Sequence, residues 1–452
     1  MQAACACACV LAGLAAVPAC SDDSADNGSV EIIHWWNQGG EAQAISALLA
    51  EFRSRYPSIG VVDGSVEGGS VEARATIAAR MNKSDPPDTF QANGGWNVME
   101  WVLYNLHNAD KTKMEPIDDI AADWMYLVPP EVLDSVSYTD WDKGTHVYAV
   151  PLNIHRLNTL FYNKAIFEEF DIHPEDWTNL DDLFAAAALI KKSSLEQQKP
   201  IAPIALGYGQ EQTWTLALLF FENLMVGHRQ GALYEQLFGD PMAFDPFSTE
   251  ITYLMEDFRT VISYANDDAY QLPWDKAMNR VLKGQAAMTI MGDWAKGYAD
   301  ADPDPAHRDA VGFMPMPGTA GTFVFTTDTF GLPTQINPRP NQIADTKKLL
   351  EVFGSRDGQK IFNEKKGSIS ARRDVEIPED DSRRPTFEAY RDADKIIGAT
   401  SILAQQSYVD ALSAALANFA RNWHDATASE VQHTLDNYRD QLLSSCWPVC
   451  LE

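Results

Sequence analysis

A chain of 452 residues exceeds what one ordinary hydrophobic core organises, so two or three lobes are expected. Apolar residues make up 45% of it, enough to fill such cores. Lys and Arg number 35 against 64 Asp and Glu, a formal net charge of -29, which argues against nucleic acid or an anionic membrane surface as a partner, since both are held by basic patches.

Residues 5 to 20 form an apolar run too short to span a bilayer as a mature helix, followed by a polar Ser/Asp stretch, and they read as a signal peptide. Val17-Pro18-Ala19-Cys20 resembles a bacterial lipoprotein cleavage box in which Cys20 becomes the acylated first residue. Pro18 is atypical there, and the first basic residue is Arg53. Ser21 to Ser29 then reads as a polar tether. Export permits disulfides, and Cys446 and Cys450 are close enough in sequence to close a small one. No Cys/His cluster has zinc spacing, so neither metal nor cofactor is expected.

Ile32 and Ile33 mark a short buried strand, Gly39-Gly40 a turn, and Ala44, Ile45, Leu48, Leu49 and Phe52 a helix that stops at Tyr56-Pro57. A strand over 59–66, a helix carrying Ala73, Ile77, Ala78 and Met81, and a strand over 89–92 follow, which describes a parallel sheet with right-handed crossovers. Trp35, Trp36, Gln91 and Asn93 all fall at the carboxyl edge of that sheet, where open α/β sheets place their ligand crevice. An indole face suits the C–H face of a pyranose while polar atoms work around its rim.

A strand over 147–154 is interrupted by Pro151, and a second lobe begins with the strand 158–163. Helices are expected over 180–192 and around 214–225. Trp274 opens an amphipathic helix that leads to a buried strand ending in Gly292-Asp293-Trp294. Residues 299–310, rich in Pro and Asp, read as a surface loop. The strand 323–328, a helix over 346–353, the segment Lys365 to Arg372 and a largely helical remainder complete the chain.

An ordered set of segments carries a family likeness: His34-Trp35-Trp36 with Gly40-Glu41, Pro86-Pro87-Asp88, Val150 to Arg156, Ala287 to Lys296, Thr327-Asp328 and Lys366 to Ile369. With these the chain resembles the extracellular sugar-binding proteins of ABC importers, in particular the branch that binds monosaccharides such as glucose. The resemblance implies a two-lobed α/β periplasmic-binding-protein fold of the maltose-binding-protein class, with a central ligand cleft and three interlobe crossovers near 153–157, 323–328 and 367–372. It divides the chain into a first lobe of 30–153 and 328–368 and a second of 154–327 and 369–452.

Carried over residue by residue, the likeness implies a ligand site of Trp35, Trp36, Glu41, Gln91 and Asn93 from the first lobe, Trp274, Trp294 and Gln405 from the second, and Asp328 and Lys366 near the crossovers. Asn93 and Gln405 stand where the glucose-binding members carry histidines, which leaves the sugar's identity open. His155 reads as a structural histidine, Lys296 as a solvated charge, and Asp293 as a turn or supporting group. The expected protein is an exported, lipid-anchored monomer that hands a monosaccharide to a permease pair driven by a cytoplasmic ATPase, with no chemistry on the sugar. An oligosaccharide receptor, a sensor component and a secreted glycosidase stand as alternatives; the last would also use aromatics and paired carboxylates.

Overall fold

The strand Ser29–His34 lies inside the first sheet, next to its edge, parallel to the edge strand Gly60–Ser65 on one side and to Thr89–Asn93 on the other. The computed structural model describes residues 28–67, 69–103, 112–139, 144–208 and 215–444. Cys20, Cys446 and Cys450, and with them the expected anchor and disulfide, lie outside the described residues. The helix Gly39–Arg55 buries Ala44, Ile45, Leu48, Leu49 and Phe52, one face at helical spacing. Asp328–Pro333 completes the sheet antiparallel to Thr89–Asn93, and Met114–Glu115 and Ala149–Pro151 pair with its far edge.

A second sheet runs Ala202–Ile204, Ala286–Met291, Thr159–Asn163, Val311–Pro315. Every residue of Ala286–Met291 is buried, as a strand covered on both faces requires. A third, smaller sheet of Ile369–Ser370, Asn153–Arg156, Thr322–Thr326 and Lys395–Gly398 lies between the two in the chain path.

The expected strand over 147–154 is divided. Ala149–Pro151 belongs to the first sheet and Asn153–Arg156 to the third, because Pro151 has no N–H to continue the ladder. The Leu152 N–H instead donates to the Asp328 carbonyl at 2.9 Å. The Asn153 side chain clamps the neighbouring passage: its Oδ1 accepts from Asp328 N at 2.8 Å and its Nδ2 donates to Asp328 Oδ2 at 2.8 Å. The expected strand 323–328 divides likewise, at Thr327, into Thr322–Thr326 and Asp328–Pro333.

Two hydrophobic cores result. Trp36, Phe52, Phe90, Phe330 and Phe353 anchor one, and Phe161, Phe220, Phe258, Met288 and Phe419 the other. Phe323 and Phe325 join the first core while Val324 joins the second, since successive side chains of a strand point to opposite faces. The third sheet therefore shows one face to each core. Residues 299–310 differ from the loop expected: Pro305–Ala310 is a helix, started by Asp304, whose side chain accepts from Ala306 N at 2.9 Å, with Pro305 in the first turn. The helix expected from Trp214 begins at Leu216, capped by Thr215, and Trp214 is outside the described residues.

Candidate functional site

Between the two cores lies a cavity of about 430 Å³, within the size range of small-molecule sites. Trp35 reaches it from the end of the strand Ser29–His34, Asn93 from the end of the neighbouring strand Thr89–Asn93, and Glu41 from the first turn of the helix Gly39–Arg55. Trp274 and Trp294 each occupy the first position of a helix on the opposite wall. Asp328 opens its strand, and Lys366 closes the helix Arg356–Lys366 just before Gly367, whose φ of +83° turns the chain away.

Lys366 is buried and pairs with Glu41. Its Nζ also lies 5.6 Å from the ring of Trp36 and 5.7 Å from that of Trp294, so its charge is held by a carboxylate and two indole faces. Burial alone would lower the Lys366 ammonium, but the carboxylates of Glu41 and Asp328 outweigh it and hold the group above its ordinary value. Asp328 is buried and accepts from Gln91 Nε2 at 3.0 Å and Asn153 Nδ2 at 2.8 Å. Burial would raise its carboxyl, yet the contact with His155 and the charge of Lys366 prevail and bring it to about 2.

His155 links this site to the wall behind Trp294. Its Nδ1 is 2.5 Å from Asp293 Oδ1, its Nε2 is 3.5 Å from Asp328 Oδ2, and Trp294 meets its ring edge-on at 5.0 Å. Burial lowers the imidazole, and the charge of Asp293 more than compensates, so its value is raised. Asp293 Oδ2 in turn accepts from the Arg156 N–H at 3.1 Å. Lys296, by contrast, pairs with Asp300 on its own helix.

Of the residues the resemblance implies, Trp35, Glu41, Asn93, Trp274, Trp294, Asp328 and Lys366 line this one cavity. Trp36 also borders it but is 1% exposed, packed on Phe330 and Phe362, so most of its indole is core. Gln91 is buried behind the wall, where its Oε1 accepts from Trp35 N at 3.1 Å while its Nε2 serves Asp328. Gln405 is exposed at the start of the helix Gln406–Arg421, and its neighbour Gln406 lines the cavity instead. His155 borders the cavity as well as bracing it. Arg74 and Tyr298 are lining residues that sequence reasoning passed over. A signal for Arg74 existed: the helix Ser70–Asn82 starts at the same sheet edge as Trp35, so its first turns face the crevice.

The two walls meet at Gly297. A Cβ there would lie 2.8 Å from the carbonyl oxygen of Lys366, closer than a side chain permits, so the residue's smallness allows the approach. Indole faces, carboxylates, an ammonium and amides gathered in one small cavity can hold a polyhydroxylated ring, stacking its C–H face and replacing water at its hydroxyls.

Residues 36–360 match the model of the bacterial extracellular solute-binding protein family, and the chain belongs to that family. Among its relatives is an uncharacterized ABC transporter extracellular-binding protein of Pyrococcus horikoshii, 35% identical over 76% of this chain and 72% of that protein. A probable sugar-binding periplasmic protein of Rhizobium meliloti is 29% identical over 77% of each chain. A solved chitin oligosaccharide binding protein shares the fold with a TM-score of 0.76 at 17% identity, covering 92% of this chain and 99% of the other.

Proposed function

We propose that this chain is the sugar-binding, extracytoplasmic component of a carbohydrate ABC importer, which encloses a monosaccharide, glucose, galactose or a similar hexose, and delivers it to a permease with a cytoplasmic ATPase. The observation that carries this reading is the convergence of Glu41, Lys366 and Asp328 in a cavity walled by Trp35, Trp274 and Trp294. Asp328 and Glu41 accept sugar hydroxyls, Lys366 donates, and the indoles stack the ring. The amide of Asn93 helps choose among epimers. Sugar bridging the lobe of 30–153 with 328–368 and the lobe of 154–327 with 369–452 favours the closed form through its higher affinity for that state, and the permease reads the closed form. Export with a lipid on Cys20 and a monomeric receptor belong to the same proposal.

An Asp328 carboxyl held at about 2 stays ionised at neutral pH, as an acceptor of sugar hydroxyls must. The test is calorimetric titration of ligand-free protein with glucose, galactose, mannose and xylose, with each mixture analysed for products. One-to-one binding of a monosaccharide without conversion is the expected result. Conversion would make the protein an enzyme, and silence across the panel would refute a monosaccharide ligand.

A further inference from the structure

The strand Thr322–Thr326 runs between the two cores, and its side chains alternate between them, Phe323 and Phe325 to the first and Val324 to the second. By that alternation Thr326 falls on the face of Val324, where a valine would continue the pattern. Threonine has nearly the same shape, so what the sequence adds at this position is a hydroxyl. Thr326 is only 8% exposed, and its hydroxyl has no hydrogen-bond partner among the described residues. A buried hydroxyl left without a partner lowers stability, and native proteins seldom keep one unless a ligand or a water completes it.

Thr326 borders the main cavity, opposite His155 of the neighbouring strand and two residues before Asp328. Of the buried side-chain polar atoms that lack a partner among the described residues, its Oγ1 and the indole nitrogen of Trp36 belong to residues that border this cavity. The indole nitrogen is a donor only, on a ring packed against Phe330 and Phe362. The threonine hydroxyl both donates and accepts, and rotation about one side-chain bond redirects it. Among the charged groups of the cavity, the carboxylates of Glu41 and Asp328 only accept and the ammonium of Lys366 only donates. A ring hydroxyl is itself both donor and acceptor, so a group of its own kind matches it whichever way its hydrogen points.

We propose that Thr326 is a specificity-determining residue of the main cavity, whose hydroxyl pairs with one ring hydroxyl of the bound hexose and so disfavours the analogue that lacks it. This rests on the reading of the main cavity as a sugar site. The assignment ties two quantities together. The empty protein is no more stable with the Thr326 hydroxyl than without it, and the protein binds its sugar more tightly with that hydroxyl than without it.

The test compares the full protein in parent, Thr326→Val, Thr326→Ser and Thr159→Val forms. Thr159 is the matched control, since its hydroxyl is also buried without a partner among the described residues and it does not border the cavity. Each form is titrated by calorimetry with glucose, galactose and mannose and with the monodeoxy analogues of glucose and galactose, and its urea midpoint is measured without sugar. Thr326→Val should weaken the hexose that the parent binds by about fivefold or more, while Thr326→Ser and Thr159→Val stay within about threefold of the parent. The empty Thr326→Val protein should unfold at a urea midpoint no lower than the parent's. With one monodeoxy analogue the loss caused by valine should vanish, which identifies the ring hydroxyl that Thr326 meets. Unchanged hexose affinity in Thr326→Val would overturn the assignment and leave the proposed function standing, as would a loss accompanied by a lower urea midpoint or one of equal size with every analogue. Binding of no sugar by the parent would refute both.

Discussion

Replacing Lys366 by Met tests the centre of the site, because methionine keeps the stem between Trp36 and Trp294 and removes only the charge. Taking away one member of a buried ion pair costs about 3 to 5 kcal/mol when the remaining charge stays buried. Glu41 is 29% exposed and can recover water, whereas Asp328 is buried and cannot, so the loss expected at neutral pH is near the bottom of that range, about 3 kcal/mol. Sugar binding should fall further, since a charged hydrogen bond contributes about 1.5 to 3 kcal/mol, which corresponds to roughly 10- to 150-fold in affinity.

The acid limb gives an independent reading. Asp328 falls from an ordinary 3.8 to about 2 in the folded protein, which amounts to about 2 kcal/mol of stability. Because the folded value is depressed, that stability is present above pH 3.8 and is lost as pH falls through about 2. Without the Lys366 charge the carboxyl must rise, only partly restrained by His155, so acid unfolding of Lys366→Met should begin at higher pH than in the parent. Urea unfolding monitored by tryptophan fluorescence across pH 2 to 7 measures both effects. Equal stability at neutral pH, together with an unmoved acid limb, would show that the Lys366 charge plays no part in holding the site.

The two adjacent tryptophans should separate cleanly. Trp35→Ala should cost most of the sugar affinity with little change in urea midpoint, while Trp36→Ala should cost about 3 to 5 kcal/mol of stability, as truncation of a buried aromatic does, and comparable losses of stability in both would contradict the packing described. Gly297→Val should keep the lobes apart by clashing with the Lys366 carbonyl, weakening binding with little effect on folding; small-angle scattering that shows the same ligand-induced compaction as the parent would refute it.

Legibility in the sequence followed the elements whose ends fix their side chains. Trp35 follows and Asn93 ends two parallel neighbouring strands of one sheet, and strand order alone sends them to a common edge. Trp294 was placed by the same logic, since a fully buried strand delivers it to the cavity. Helical residues were harder, because which of them faces a cleft depends on a phase that one residue's error reverses. Gln405 and Gln406 show this: the helix begins at Gln406, and that single step leaves one amide in solvent and the other on the cavity wall. Arg74 escaped notice because an arginine on an amphipathic helix ordinarily means a solvated face, and only the helix Gln406–Arg421 closing over it from the other lobe makes it part of an enclosed site. The buried line Asp293–His155–Asp328 joins residues 155, 293 and 328, which no local pattern connects. His155 and Asp328 stand beside the points where the chain changes sheets, so the groups that would hold the sugar and those that would flex on closure are bonded to one another. In the proposed closure, a ligand that draws on Asp328 would act directly on the backbone passages at Asn153 and Asp328 where the chain changes sheets.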